Sequence, residues 1–122
     1  MAVSKGSVPS APLGTIIIED ASADNTKEAV ATTAGAIHSV YINNTHSAQV
    51  YVKLYELTYA NTTVGTHHPS FVFSCPASTS KQYNFPDAVP WATALTMACT
   101  TTAGTGGTTN PGATVLVRLT IE

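Results

Sequence analysis

Charged residues are scarce in this chain. Only 10% of its 122 residues are Asp, Glu, Lys or Arg, against about 25% in an ordinary globular protein. The five cationic side chains are scattered and the formal net charge is −2, so no basic field exists to attract a phosphate backbone, and we expect no nucleic-acid partner. A neutral surface has little charge to desolvate against another protein, which favours a permanently assembled subunit.

Long apolar runs and a secretory leader are also missing. No segment approaches the roughly 20 consecutive apolar residues that span a bilayer. Residues 1–13 lack the apolar centre of a signal peptide. We therefore expect no membrane association, with synthesis in the cytoplasm and release by lysis rather than by secretion.

Metal ligands and cysteines are few. Two cysteines, Cys75 and Cys99, are too few for a disulfide scaffold. Both are in phase with large apolar neighbours, which favours buried thiols and leaves a single disulfide open. The four histidines lack the CxxC or HxxxH spacing of a structural zinc site. We expect no metal and no cofactor.

Catalytic motifs are absent as well. There is no GxSxG nucleophile elbow, and the glycine-rich segment 104–107 lacks the Lys-Ser/Thr that completes a phosphate-binding loop. The carboxylates show no pairing of the kind that glycoside hydrolysis needs. Cys75 precedes Pro76 in an apolar segment, a poor setting for a thiolate nucleophile. The sequence predicts that this protein is not an enzyme.

Apolar and polar residues alternate with a period of two from residue 15 onward, as in strands with one buried face. No segment has the period of a helix. Such a pattern is typical of a single antiparallel β-sandwich of seven to eight strands, resembling a jelly roll. The predicted strands are 15–19, 27–32, 36–43, 49–57, 71–75, 81–85, 93–99 and 113–121.

Residues 15–122 therefore form one predicted domain, preceded by an extended arm at residues 1–14. The arm is rich in Ser, Pro, Gly and Ala and includes Pro9 and Pro12. It carries too little apolar surface to offset the backbone entropy lost on ordering, about 1–2 kcal/mol per residue. We expect neighbouring chains to hold it through contacts that include these prolines.

Three local patterns give further expectations. The turn-forming segment 43–47 (NNTHS) predicts a hairpin between strands 36–43 and 49–57. Pro86 should end the strand 81–85, because proline cannot donate to a sheet ladder, and Trp91 should plug one end of the sandwich. The alternation predicts a core that contains Val50, Val52, Leu54, Leu95, Met97, Val115, Val117 and Leu119.

Three tyrosines are candidate partner contacts. Tyr41, Tyr51 and Tyr55 fall on the expected polar face of two adjacent strands. Tyrosine is favoured at protein interfaces, because it buries a large ring and keeps a hydrogen-bonding tip. A sugar-binding platform would use the same side chains, so these residues alone do not discriminate between the two.

Several motifs resemble those of small β-sandwich virion proteins of tailed bacteriophages. They are residues 37–57 (IHSVYINNTHSAQVYVKLYEL), Val64-Gly65-Thr66 with Pro69, residues 75–79 (CPAST), residues 83–87 (YNFPD) and the Thr/Gly loop 100–111. The resemblance covers residues 36–122. It implies a non-enzymatic structural component of a virion, assembled in the host cytoplasm.

Within that class we expect a capsid decoration (cement) protein that binds and stabilises the outer surface of a bacteriophage head. Its partners would be the major capsid protein or other virion subunits. We also expect a homo-oligomer, with a trimer favoured over a dimer because threefold points recur on an icosahedral shell. One alternative is a tail, baseplate or fibre subunit. Another is a carbohydrate-binding module that recognises host surface glycans.

Overall fold

The chain folds into two antiparallel four-stranded sheets. The computed structural model describes residues 16–112 and 114–122, and within these ranges no helix is long and apolar enough to cross a membrane. The predicted all-β sandwich is confirmed. Its strands are β1 (Ile16–Asp20), β2 (Glu28–Ala31), β3 (Gly35–Asn44), β4 (Val50–Tyr55), β5 (Phe71–Cys75), β6 (Thr79–Trp91), β7 (Leu95–Thr100) and β8 (Val115–Ile121).

Strand order identifies the topology as a jelly roll. Sheet I has the order β1-β8-β3-β6, and sheet II has the order β2-β7-β4-β5. The pairs β1·β8, β2·β7, β3·β6 and β4·β5 are those of one long hairpin whose tip lies between β4 and β5. Rolling that hairpin adds the contacts β3·β8 and β4·β7, which gives the double-sheet arrangement of a jelly roll.

The core lies between the two sheets and follows the alternation in the sequence. β8 is buried at every second residue from Val115 to Ile121, and in β3 Val40 and Ile42 are buried while Tyr41 between them faces outward. The eight predicted core residues are all buried, none more than 2% exposed. The strand phases predicted from the sequence are therefore confirmed.

The predicted hairpin between β3 and β4 is wrong. β3 belongs to sheet I and β4 to sheet II, so the chain crosses between the sheets at residues 45–49. Asn44 holds this crossing: its side-chain amide donates to the carbonyls of Ala48, Cys75 and Pro76 at 2.9, 3.2 and 2.9 Å. Turn-forming residues are compatible with a hairpin turn and with a corner between two sheets. In this fold, residues 45–49 form the corner.

Pro86 does not end its strand. β6 continues to Trp91, and the ladder with β3 accommodates the proline in a bulge: Ile37 pairs with Val89 and Ser39 with Asn84, so His38 alone faces residues 85–88. Ala88 in this bulge has a positive φ of 55°. A bulge removes the need for a ladder hydrogen bond at proline and redirects the neighbouring side chains.

Trp91 fills one end of the sandwich, as predicted. It is 3% exposed, and its indole Nε1 donates to the Thr33 carbonyl at 2.8 Å. The ring lies so close to Gly35 that a Cβ there would come within 2.6 Å of it. A Cβ at Gly35 would also overlap the Glu122 carbonyl oxygen, so the backbone and the indole together require glycine here.

Loops cover the outer face of the two central strands of sheet II, β4 and β7, which the sequence did not indicate. β7 is buried along both faces, and on β4 the outward-facing Lys53 and Tyr55 are buried. The alternation had placed both side chains on a wet face, and that expectation is wrong. The loops following β4 and β7 reach over the sheet, where Thr96 donates to the Leu57 carbonyl at 2.9 Å.

Lys53 anchors the Thr/Gly loop to sheet II. Its ammonium donates to the carbonyls of Gly104 and Gly107 at 2.7 and 2.9 Å. Burial lowers the pKa of Lys53, and the charge of the nearby Cys99 partly opposes this effect. The glycine-rich segment 104–107 thus supplies carbonyls to a buried amine.

Cys75 and Cys99 are free, buried thiols, which confirms the favoured interpretation. Cys75 on β5 pairs with Val50, and Cys99 on β7 pairs with Val52, so β4 lies between the two cysteines. Two strand spacings alone separate their Cα atoms by about 9–10 Å, and the two-residue offset between Val50 and Val52 adds to this separation. A disulfide requires a separation below about 7 Å, so this geometry excludes the bond.

The predicted arm at residues 1–14, with Pro9 and Pro12, lies outside the described residues. The arm and its partner contacts stay predictions. Residue 113, the predicted start of the last strand, also lies outside them.

Candidate interaction surfaces

The outer face of sheet I is the open side of the sandwich. Its side chains form rows across the four strands: Ile17, Thr120, Ser39 and Asn84 make one row, and Glu19, Arg118, Tyr41 and Gln82 make the next. All are exposed or half-buried. We call this surface the open face, defined by these two rows together with Asn43 and Ser80.

The open face carries one ion pair in a neutral surround. Arg118 donates to Glu19 Oε2 from Nε and from Nη2, at 3.0 and 2.6 Å, and its guanidinium lies 5.7 Å from the centre of the Tyr41 ring. The Tyr41 hydroxyl is 3.4 Å from Ser80 Oγ, which in turn donates to Asn43 Oδ1 at 3.1 Å. Hydroxyl, amide and aromatic groups dominate this surface.

The three candidate tyrosines do not lie together. Tyr41 lies on the open face of sheet I, whereas Tyr51 lies on the outer side of sheet II, across the sandwich. Tyr55 is fully buried, so it is not accessible to a partner in this fold. The expectation of one shared tyrosine face on two adjacent strands is wrong, because β3 and β4 are in different sheets. Partner contact by Tyr41 or Tyr51 stays a prediction.

A cavity of about 360 Å³ lies at one end of the open face. The bulge in β6 creates it, with Phe85 and Pro86 as apolar walls and His38 beside them. The His38 side chain is 11% exposed, and its Nε2 lies 3.3 Å from Glu122 Oε2. This contact does not have the alignment of a hydrogen bond, so both ring nitrogens are buried without a hydrogen-bond partner among the described residues.

Two of the other histidines, His67 and His68, have intramolecular partners in the loops. His67 Nδ1 accepts from the Thr63 backbone amide at 2.9 Å, and His68 Nδ1 contacts Thr105 Oγ1, which joins the two loops over sheet II. Within residues 16–112 and 114–122, no three His, Cys, Asp or Glu side chains are grouped to hold a metal.

Sequence reasoning missed three of these features. Asn44 lies in the predicted turn 43–47, Lys53 lies in phase with Tyr51 and Tyr55 on the expected polar face, and His38 lies within the predicted strand 36–43. The sequence gives one signal for the Lys53 anchor: this lysine is in phase with Tyr51 and Tyr55, and a long glycine-rich loop follows later in the chain. The His38 cavity had none, because it depends on a bulge in a distant strand.

Comparisons with known proteins found no similarity: no family model, no curated protein and no solved structure matches this chain.

Proposed function

We propose that this protein is a virion structural protein, a capsid decoration (cement) protein that attaches to the outer surface of a bacteriophage head through its open face. The observation that carries the proposal is the asymmetry of the sandwich. Loops cover the outer face of the two central strands of sheet II, β4 and β7, whereas all four strands of sheet I present outward side chains that carry a single Arg–Glu ion pair. A surface of this kind costs little to desolvate against another protein.

Two further observations support the assignment. The jelly-roll order of the strands recurs in viral capsid domains, although also in lectins and cupins, so the fold alone does not decide function. The motifs in residues 36–122 resemble those of phage virion proteins. A tail, baseplate or fibre subunit would use the same open face.

Copy number and position in purified particles test the proposal. Quantitative mass spectrometry with antibody labelling should find many copies spread over the head. A few copies at the tail would instead support a tail, baseplate or fibre subunit. Absence of the protein from the particle would overturn both the head and the tail assignment.

Paired tyrosine variants test which face attaches. Tyr41→Ala should weaken binding to undecorated heads by roughly tenfold, since an aromatic anchor at an interface contributes 1 kcal/mol or more. Tyr51→Ala, on the other side of the sandwich, is the matched control and should bind like wild type. The reverse result would assign attachment to sheet II.

A second candidate function is carbohydrate binding, which the His38 cavity favours. Its volume suits a single sugar ring, and Phe85 with Pro86 offers apolar walls beside the polar groups of Ser39, Asn84 and Thr120. His38 lines the same cavity and has no hydrogen-bond partner for either ring nitrogen among the described residues. Glycan-array binding that is lost in His38→Ala but kept in His46→Ala would support it, and no binding by the wild type would dismiss it.

A further inference from the structure

The His38 cavity lies at the end of sheet I where the described chain begins. Ile16, the first residue of β1, pairs with Ile121 of β8. Ile121 also pairs with Ile37, which precedes His38 in β3. The residues that precede Ile16 in the chain therefore join the sheet at the same end as the cavity.

A row of side chains leads from β1 across the open face to the cavity. Ile17 pairs with Thr120, and Thr120 pairs with Ser39. Ser39 pairs in turn with Asn84, and Thr120, Ser39 and Asn84 all line the cavity. Three strand spacings separate Ile17 from Asn84, a distance of about 14 Å. An extended chain spans about 3.3–3.6 Å per residue, so about four or five residues cover this distance, and residues 9–13 are within reach.

The walls of the cavity suit a neutral, apolar segment. Phe85 and Pro86 supply the apolar surface, and the Phe85 ring packs against Phe73, with 5.7 Å between the ring centres. Among the described residues that line the cavity, only His38 has an ionisable side chain. Its ring nitrogens are buried, so the cavity offers little compensation for a buried charge.

Residues 9–13 (PSAPL) have the matching chemistry. They carry no charge, and Pro9, Pro12 and Leu13 are apolar. Proline has no backbone N–H, so two of the five residues bring no donor that would need a partner on burial. Their spacing, Pro-x-x-Pro, is also that of extended segments that dock in grooves lined by aromatic rings.

We propose that residues 9–13 of the same chain dock in the His38 cavity, with their apolar side chains against Phe85 and Pro86. A short tether holds a segment near its site at an effective concentration of the order of millimolar, which gives the chain's own segment an advantage over a separate partner. The docked segment would take the place of the sugar ring in the second candidate function, so segment and sugar would exclude one another. The inference is independent of attachment to a phage head.

An aspartate substitution in the full chain tests this docking. Leu13→Asp places a carboxylate in the segment, and its burial against apolar walls is unfavourable, so the segment should leave the cavity. Asn84 and Phe85 report the departure, because β6 is three strands away from β1 in the order of sheet I. Their backbone amide signals in ¹H–¹⁵N spectra should shift by more than a line width, whereas the signal of Tyr51 on sheet II should not.

Val3→Asp is the matched control, because it makes the same kind of change in the arm but outside residues 9–13. It should leave the signals of Asn84 and Phe85 in their wild-type positions. Unchanged signals in Leu13→Asp, or equal shifts in both variants, would overturn the docking. If the wild-type signals of Asn84 and Phe85 moved toward those of Leu13→Asp on tenfold dilution, the segment would come from a second copy, and docking within one chain would be overturned.

Discussion

At the scale of single residues, a few buried polar side chains hold the loops and corners to the two sheets. Asn44 is fully buried at the point where the chain leaves sheet I. Besides its three donated hydrogen bonds, its Oδ1 accepts from the His46 amide at 2.9 Å. Removal of such a side chain leaves several backbone groups unsatisfied at once, whereas a surface amide leaves none.

Asn44→Ala should therefore lower the free energy of unfolding by about 2–4 kcal/mol, because buried carbonyls lose their donor. Urea unfolding monitored by circular dichroism measures the change. Asn43→Ala is the neighbouring control: its half-buried side chain accepts one bond from Ser80, and its loss should cost about 0.5 kcal/mol or less. Similar costs for the two variants would show that Asn44 does not hold the crossing.

Cys99 should make the fold sensitive to alkaline pH. Burial, reinforced by the charges of Asp20 and Asp24, raises the pKa of the Cys99 thiol from 9.0 to about 12. Between those values the unfolded chain has lost a proton that the folded chain keeps, so stability falls as pH rises. The slope approaches 1.4 kcal/mol per pH unit for one group.

Urea unfolding from about pH 8 to about pH 11 tests this linkage. Cys99→Ala should lower the starting stability but flatten the decline, since one titrating group is removed. Lys53 acts in the opposite direction, because its lowered pKa makes stability rise with pH up to the ordinary value of 10.5. An equally steep decline in wild type and Cys99→Ala would remove Cys99 as the cause.

At the scale of strands and loops, the outer faces of the two sheets differ in how far their side chains are buried. Every strand has an inner face in the core, but only the central strands β4 and β7 of sheet II have their outer face covered by loops. The Thr/Gly loop depends on close backbone packing: a Cβ at Gly107 would overlap the carbonyl oxygens of Thr102 and Ala103. Gly106, next to it, has open space at the same position.

Alanine substitutions at Gly107 and Gly106 test whether the loop depends on close backbone packing at Gly107. Gly107→Ala should open the loop, weaken the hydrogen bonds of Lys53 and destabilise the fold by about 2 kcal/mol or more. Gly106→Ala is the control and should leave the melting temperature nearly unchanged. The loop packing would be refuted if thermal melting showed the same temperature for both variants.

Val52→Asp tests the strand phase of β4. Val52 lies in the core between Phe73 and Cys99, fully buried, so an unpaired carboxylate there should prevent folding at a cost of several kcal/mol. Val72→Asp places the same group at a half-exposed position of β5 and should fold. A soluble Val52→Asp variant with an unchanged melting temperature would contradict the assigned phase.

At the scale of the whole molecule, the topology joins the two ends of the described chain. Ile16 pairs with Ile121, and β8 lies between β1 and β3 in the middle of sheet I. Contacts of this kind close very long loops, which makes folding slow.

Refolding should accordingly take from about a millisecond to seconds rather than microseconds. Trp91, the single tryptophan, is buried against Gly35 and reports closure of the sandwich end. Stopped-flow dilution from urea with tryptophan fluorescence measures the rate. Complete recovery within the dead time would show that the long-range pairings do not limit folding.

Two expectations at this scale remain predictions. The sequence favours a trimer over a dimer on a shell, and the mass of the assembly in solution decides between them. Attachment to a phage head is a separate question, because either oligomer could present its open face to a shell.

The sequence by itself determined which side chains enter the core and where the strands lie, apart from the continuation of β6 beyond Pro86 to Trp91. Alternation along β3, β4 and β8 is a local property, because successive side chains of a strand point to opposite faces. The core list from Val50 to Leu119 followed from it without knowledge of the pairing. The buried state of both cysteines followed in the same way from their phase.

Only the tertiary structure decided which strands are neighbours and what covers them. Residues 43–47 suit a hairpin turn and a corner between sheets equally well, so local turn chemistry could not reveal that β3 and β4 part. The burial of Lys53 and Tyr55 depends on loops that return from distant parts of the chain, and the His38 cavity depends on a bulge in β6. Pairing, covering loops and cavities are long-range contacts, and a local period carries no information about them.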